Sequence, residues 1–163
     1  MTTSASQPLD ILCFGEPMFE FSWIDKDTIR PGIGGDVSNM AVAAARAGAK
    51  AGMLTHLGQD NFADHILRLY ADEGIDATRV TQSSAAPTGL YFIEYGTEGH
   101  QFSYRRAGSA ASQIKPDDLT PEMFQNIGVL HLSGITQAIS PSSREATVRA
   151  AELARAAGAR VAF

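Results

Sequence analysis

Apolar positions along this chain follow two different periods. Continuous apolar runs typical of buried strands cover residues 9–14, 51–57 and 128–133. Each run is followed by a segment whose apolar residues recur at helical spacing, as in residues 62–70. Strands that alternate with single helices favour right-handed crossovers and a mostly parallel sheet with helices on both faces. The sequence therefore predicts an α/β fold.

Turn residues mark the ends of the predicted helices. The first two helices are expected to end at Gly48 and Gly74, and an alanine-rich helix at Gly158. That last helix begins at Ser140-Pro141, a favourable N-cap followed by a favourable first residue. Residues 160–163 then begin another strand.

Two further segments, within residues 16–30 and 88–106, alternate between apolar and polar residues like half-exposed strands. The second segment contains Gly96-Thr97-Glu98-Gly99, four residues typical of a hairpin loop. These strands do not fit the parallel sheet, so they predict a second, small antiparallel sheet. Ligands of open α/β sheets bind at the carboxyl ends of the strands, where this sheet would act as a lid.

Composition and charge add few constraints. The chain has 163 residues, is 44% hydrophobic and carries 18 acidic against 13 basic residues, without a basic run. No nucleic-acid partner and no membrane partner are expected. Residues 1–8 are polar and predict a disordered tail, which leaves 9–163 as the folded domain. No apolar run approaches the roughly 20 residues of a membrane span, and we expect a cytoplasmic protein.

The cysteine and histidine residues predict no reactive or metal-binding group. Cys13 lies within an apolar run, which favours a buried free thiol in a reducing compartment over a nucleophile. The four histidines show no spacing that suits zinc, so no metal site is expected.

The most informative stretch is Gly34-Gly35-Asp36-Val37-Ser38-Asn39, at the start of the first helix. Adjacent glycines let the main chain approach a ligand and reach positive φ, and Asp36 or Ser38 could cap the helix. A polar small molecule could dock there. An ordinary strand-to-helix turn fits the same residues, which by themselves leave both interpretations open.

Several motifs resemble the ribokinase-like carbohydrate kinases, also called the phosphofructokinase B family. The matching stretches are Gly34-Gly35-x-x-x-Asn39 with the alanine-rich helix behind it, and Gly58-Gln59-Asp60-Asn61-Phe62. Residues 88–92 and 102–110 are most similar to the branch that phosphorylates 2-keto-3-deoxygluconate, an acidic sugar. The resemblance spans nearly the whole chain and implies a ribokinase-like fold and ATP-dependent phosphorylation of a sugar.

The resemblance also implies a substrate site. Its residues are Gly34, Gly35, Asp36, Asn39, Tyr91, Tyr104 and Arg106. Arg106 suits the carboxylate of an acidic sugar, because a planar guanidinium makes short charge-assisted hydrogen bonds. Asp36 and Asn39 would bind sugar hydroxyls. Spacing alone favours the alternative, in which Arg106 is a solvated side chain next to ordinary cross-strand aromatics and Asp36 is only a helix cap.

Two departures from the family pattern bear on substrate and catalysis. Glu20 stands near the position where many neutral-sugar members carry an aspartate for substrate hydroxyls. No stretch resembles the family's later Asp-Thr-x-Gly-Ala-Gly-Asp motif, which carries the catalytic aspartate and most of the nucleotide site. The resemblance therefore implies the amino-terminal part of a longer kinase, inactive alone, whose catalytic base lies beyond Phe163. The sites for ATP and Mg²⁺ would lie mostly outside this chain.

Other functions stay open as alternatives. Gly32-Ile33-Gly34 near a helix start suggests a dinucleotide-binding oxidoreductase, although the third glycine and the preceding buried strand of that motif are missing. Another alternative is a non-catalytic module that dimerises through its lid, since lids in the family often pack against each other. For the kinase itself we expect a homodimer through the lid sheet, with fructose or another family sugar as the alternative substrate.

Overall fold

The structure is a computed structural model that describes residues 8–96 and 99–163. Its strands in chain order are β1 (Leu9–Phe14), β2 (Met18–Trp23), β3 (Ile29–Gly34), β4 (Ala51–Gly58), β5 (Asp76–Ser83), β6 (Leu90–Gly96), β7 (Gly99–Arg105), β8 (Ile127–His131) and β9 (Arg160–Ala162). Its helices are α1 (Asp36–Arg46), α2 (Asn61–Asp72), α3 (Gly134–Ala138) and α4 (Pro141–Ala156). Three short 3₁₀ turns at Ala111–Gln113, Pro116–Asp118 and Pro121–Phe124 precede β8.

The central sheet is parallel and has the strand order β5-β4-β1-β8-β9. Successive residues of β1 point to opposite faces of this sheet. Leu12 and Phe14 belong to the core that includes residues of α4, whereas Cys13 belongs to the core shared with α1 and α2. Helices therefore cover both faces, and the α/β prediction is confirmed.

The predicted helix ends are confirmed except at the start of α1. Glycines in positive φ, namely Gly48, Gly74 and Gly158, follow α1, α2 and α4. Ser140 caps α4 by accepting a hydrogen bond from the backbone N–H of Ser143 at 3.0 Å. The predicted side-chain cap on α1 is wrong, because the N-cap position is Gly35 and no side chain bonds there. Asp36 is already helical.

Two regular elements were not predicted from the sequence. The strand β5 carries mostly polar residues and pairs only with β4, at an edge of the sheet, so its apolar period is weak. The helix α3 has five residues, which is too short for a helical period to show.

The second sheet has the strand order β3-β2-β6-β7. The predicted antiparallel pairing is confirmed for β6 with β7. Strands β2 and β3 also pair antiparallel, but β3 runs to Gly34, beyond the predicted segment 16–30. The central pair, β2 with β6, is parallel, so the lid is a mixed sheet. Strand β2 follows β1 and strand β6 follows β5, so both leave the parallel sheet at its carboxyl edge. Because they leave this edge in the same direction, they pair in parallel. Glycines 32 and 34 belong to β3, which confines the predicted glycine turn to Gly35.

The predicted hairpin loop lies partly outside the described residues. Gly96 and Gly99 pair with each other at the end of β6 and β7, and Gly99 has a φ of 111°. Thr97 and Glu98 lie outside the described residues, as do residues 1–7 of the predicted tail. None of the helices in the described ranges is long and apolar enough to cross a membrane.

Candidate functional site

Six of the seven predicted site residues lie together where the lid joins the parallel sheet. The contacts run from Gly34 to Tyr91, from Tyr91 to Tyr104 and from Tyr104 to Arg106. Arg106 then contacts Glu16, whose backbone oxygen lies against Gly35 at the start of α1. We call Gly34, Gly35, Asp36, Tyr91, Tyr104 and Arg106 the lid-base cluster.

Pairing between the lid strands brings the aromatic residues of this cluster together. Tyr91 of β6 lies opposite Tyr104 of β7 and next to Glu20 of β2, so these three residues share a face of the lid. The two tyrosine rings stack with their centroids 6.1 Å apart. The Tyr91 hydroxyl donates a hydrogen bond to the Glu20 carboxylate. Burial, and next this hydrogen bond, raise the pKa of Tyr91, so its hydroxyl is a proton donor at neutral pH.

The two glycines leave space that a side chain would fill. A Cβ atom on Gly34 would overlap the Tyr91 hydroxyl, so only a glycine lets this tyrosine lie across the end of β3. Gly35 has a φ of 112°, and a Cβ atom there would overlap the backbone oxygen of Glu16. Because neither glycine carries a side chain, the chain can turn from β3 into α1 close to Tyr91 and to the backbone that follows β1.

Arg106 follows β7 and has a guanidinium that is only partly satisfied by the protein. Its Nη2 lies 2.6 Å from Oε2 of Glu16, and its guanidinium carbon lies 5.7 Å from the centroid of the Tyr104 ring. Within the described residues its buried Nε has no hydrogen-bond partner. The side chain is 22% exposed, so part of the guanidinium other than the buried Nε is open to solvent.

Glu16 is a functional candidate that the sequence analysis missed. It is the second residue after β1, is 2% exposed, and accepts a hydrogen bond from the Ser109 hydroxyl at 2.5 Å. Burial raises the pKa of Glu16, while Ser109 and Arg106 lower it in part. A charged residue directly after a buried central strand, as in Gly15-Glu16-Pro17, is the signal that could have found it.

The structure places the side chain of Asn39 outside the lid-base cluster. It lines a cavity of about 490 Å³ together with Phe19 and His65. Phe19 and Glu20 are successive residues of β2 and point to opposite faces of the lid, so this cavity lies on the face away from Tyr91. The backbone N–H of Asn39 donates to the backbone oxygen of Gly35 at 2.8 Å, so it is only the side chain of Asn39 that is directed away from the cluster.

The site offers hydrogen-bonding groups that suit a polyhydroxylated ligand. It offers one guanidinium, two tyrosine hydroxyls and the carboxylates of Glu20 and Asp36, the mixture that binds a sugar with or without an acid group. Among residues 8–96 and 99–163, no group of three or more His, Cys, Asp or Glu residues could hold a metal ion.

Sequence comparison places this chain among known proteins. The model of the pfkB family carbohydrate kinases matches residues 9–162. The chain is 33% identical over 163 residues to a 2-dehydro-3-deoxygluconokinase of Bacillus subtilis, with 95% of this chain and 50% of that protein covered.

Two solved structures share the fold and a quarter or more of the sequence. The crystal structure of a PfkB protein from Polaromonas sp. JS666 has a TM-score of 0.90 and 31% identity, covering 95% of this chain and 54% of that chain. A fructokinase from Xylella fastidiosa with bound ATP has a TM-score of 0.83 and 28% identity, covering 93% and 47%. The chain therefore spans about half the length of the proteins it matches.

Proposed function

Since the chain belongs to the pfkB family of carbohydrate kinases, we propose that it forms the sugar-binding site and lid of an ATP-dependent kinase for 2-keto-3-deoxygluconate. The observation that carries this proposal is the Arg106 guanidinium of the lid-base cluster, which lies over the Tyr104 ring and is 22% exposed. A sugar that ends in a carboxylate complements such a guanidinium more strongly than a neutral sugar, which offers only hydroxyl oxygens as acceptors.

The remaining cluster residues would orient the sugar for transfer of a phosphoryl group. The Tyr91 and Tyr104 hydroxyls and the Asp36 carboxylate can bind sugar hydroxyls. Holding the acceptor hydroxyl still lowers the entropic part of the barrier, and the lid sheet excludes water from the site.

ATP and Mg²⁺ are the proposed co-substrate and cofactor. Mg²⁺ neutralises charge on the phosphates as the phosphoryl group leaves ATP. We assign no catalytic base and no nucleotide site within the described residues. These groups are proposed to come from the half of the kinase length that this chain does not span.

A coupled ADP-release assay tests the proposed substrate. The 163-residue chain and the product of any extended reading frame are assayed with ATP, Mg²⁺ and 2-keto-3-deoxygluconate. We expect turnover only in the extended product. Arg106→Met should raise KM for the acidic sugar about 10- to 100-fold, the value of a charge-assisted hydrogen bond, and Arg106→Lys less. Turnover by the short chain alone, or an unchanged KM in Arg106→Met, contradicts the proposal.

A second candidate substrate is a neutral sugar such as fructose, and Glu20 favours it. Its carboxylate accepts a hydrogen bond from Tyr91 and lies on the same face of the lid as Tyr104. A carboxylate at that position can bind sugar hydroxyls, and it repels an acidic sugar. Including fructose in the same assay separates the candidates, because Glu20→Gln should weaken turnover of fructose and Arg106→Met should not.

We also propose that the kinase is a cytoplasmic homodimer that associates through its lid. Support for the interface is the exposed aromatic surface of β6 and β7, where Tyr95, Phe102 and Tyr104 are 47–56% exposed. Support for the compartment is Cys13, a free cysteine that is fully buried.

A further inference from the structure

Glu16 is a buried carboxylate at the edge of the lid-base cluster, and the family motifs quoted above do not include it. Its side chain is 1% exposed, and ionisable residues are seldom buried to this degree unless they are paired. It lies between four parts of the chain: β1, the start of α1, the start of β6 and the segment that follows β7.

Contacts with the protein fix the Glu16 carboxylate in one place. Ser109 donates its hydroxyl to Oε1 at 2.5 Å. Gly89 packs against the same oxygen so closely that a Cβ atom there would lie 2.6 Å from it. The backbone oxygen of Glu16 lies against Gly35. One carboxylate oxygen is therefore hydrogen-bonded by the protein, and the other, Oε2, makes an ion pair with Arg106 but has no hydrogen-bond partner among the described residues.

The Oε2 atom of Glu16 lies 2.6 Å from Nη2 of Arg106. From this geometry we infer that Glu16 is a positioning residue, which holds one end of the Arg106 guanidinium so that its remaining N–H groups face the acid group of the sugar. A guanidinium has five N–H donors in a rigid plane, so fixing Nη2 fixes the direction of the other donors. The guanidinium also lies over the ring of Tyr104, which contacts one face of the same plane.

A role in stability alone explains this pair less well. Burial raises the pKa of Glu16 against the effect of Ser109 and Arg106, and the Asp36 carboxylate on α1 also raises it. Ionising Glu16 in the folded chain is therefore costly, and buried ion pairs often stabilise a protein no more than apolar residues do. Charges held at such a cost are frequent in functional sites. Glu16 faces these two charged groups, one from α1 and one from the segment after β7.

The chain offers a second arginine–glutamate pair outside the lid-base cluster as a control. Arg46 of α1 donates Nε to Glu73 at 3.0 Å, and this pair lies on the surface beyond α2. Glu73→Gln and Glu16→Gln each remove the carboxylate that pairs with one arginine. Only Glu16→Gln does so in the lid-base cluster. Any effect of losing one ion pair in general should therefore be seen in both variants.

The inference rests on the proposed function, and steady-state kinetics of the extended product test it. Glu16→Gln should raise KM for 2-keto-3-deoxygluconate roughly tenfold, about 1.4 kcal/mol, and change kcat less than twofold. Glu73→Gln should change neither constant. In an Arg106→Met background, Glu16→Gln should raise KM no further, because the two residues act as one unit. The inference is overturned if Glu16→Gln raises KM by the same factor in the wild type and in Arg106→Met, or if it leaves KM unchanged in the wild type.

Ser109→Ala keeps the Glu16 charge and removes one of its anchors, so it serves if Glu16→Gln fails to fold. We expect it to raise KM roughly threefold, less than Glu16→Gln, since one neutral hydrogen bond is lost. Glu16→Asp should recover part of the affinity lost in Glu16→Gln, because the charge returns on a shorter side chain. The positioning role is overturned if Glu16→Asp recovers none of the affinity and Ser109→Ala leaves KM unchanged.

A readout without sugar separates this inference from the proposed function. The guanidinium Nε–H signal of Arg106, identified by its loss in Arg106→Lys, is followed by NMR in the 163-residue chain. Glu16→Gln should broaden or shift that signal, and Glu73→Gln should leave it unchanged. If no acidic sugar is turned over but the signal responds in this way, the proposed substrate fails and the positioning role stands. An unresponsive signal overturns the positioning role itself.

Discussion

At the scale of single residues, two adjacent glycines allow the lid and the parallel sheet to meet. Gly34 makes room for the Tyr91 hydroxyl, and Gly35 makes room for the backbone oxygen of Glu16. Gly35 also has positive φ, which other residues adopt only with strain. The position of α1 relative to β1 therefore depends on the absence of a side chain at one residue.

We expect Gly35→Ala to destabilise the chain far more than Gly48→Ala. Both glycines have positive φ, but only Gly35 has backbone atoms where the Cβ atom would lie, and Gly48 has open space there. Gly48→Ala should cost about 1 to 2 kcal/mol from backbone strain alone, and Gly35→Ala about 3 kcal/mol or more. Urea unfolding of both variants measures the difference, and equal losses would show that the contact with Glu16 is unimportant.

The thiol of Cys13 should make stability depend on pH above neutrality. Burial raises the pKa of this thiol from 9.0 to about 12. The unfolded chain therefore loses the thiol proton at lower pH than the folded chain, and the free energy of unfolding falls as pH rises above 9. Between pH 8 and pH 10 the wild type should lose about 1.4 kcal/mol more than Cys13→Ala. An equal loss in both proteins, measured by urea unfolding, contradicts the raised pKa.

At the scale of elements, one carboxylate joins α2 to the start of the lid. Asp60 caps α2 by accepting from the Ala63 N–H at 2.9 Å, and it accepts from the Thr88 N–H at 2.8 Å. The Thr88 hydroxyl in turn accepts from the Gly58 N–H at the end of β4. The lid strand β6 thus begins at a place that the helix cap and the parallel sheet determine together.

Asp60→Ala should destabilise the chain at neutral pH and less so in acid. Burial tends to raise the pKa of Asp60, but the hydrogen bonds from Thr88 and Ala63 outweigh it and lower the pKa. An acid with a lowered pKa stabilises the fold above its unfolded pKa, and this contribution disappears as pH falls through its folded pKa. We expect a loss of about 1 to 2 kcal/mol at pH 7, typical of a helix cap.

Ser140→Ala is the matched control, because it removes the neutral N-cap of α4. Its cost, about 1 kcal/mol, should not vary with pH. Urea unfolding at pH 7 and pH 3.5 compares the two variants. A difference between wild type and Asp60→Ala that stays constant on acidification would show that the Asp60 charge plays no part in the cap.

At the scale of the whole molecule, the lid is a separate small sheet with a large exposed surface. Every described residue of β7 is exposed, and Tyr95, Phe102 and Tyr104 lie on one face of β6 and β7. Solvent-exposed aromatic rows of this kind are typical of surfaces that another molecule covers.

We expect Phe102→Glu to weaken self-association of the chain. Phe102 is 50% exposed on the lid, and Val148 is 51% exposed on α4, so Val148→Glu is a matched control. Sedimentation velocity across a concentration series should show a dimer in the wild type and in Val148→Glu, and more monomer in Phe102→Glu. Identical behaviour of the three proteins would remove the lid as the interface.

The sequence was most informative where its local signals were strong. Long apolar runs identified β1, β4 and β8, and capping and glycine signals gave both ends of α4, because such signals act within a few residues. The polar edge strand β5 and the short helix α3 gave no such period. Among site residues, the register of β6 and β7 brings Tyr91 and Tyr104 together, as a period of two predicts.

The amino-acid sequence by itself determined the α/β alternation, the family and the residue types of the proposed sugar site, since these follow from local periodicity and short motifs. Only the tertiary structure decided that β2 and β6 pair in parallel, that the Asn39 side chain lines a cavity with Phe19, and that Glu16 meets Arg106. Glu16 and its partner Ser109 are 93 residues apart in the chain. Contacts between such distant residues depend on how whole sheets pack, which no local pattern of side chains specifies.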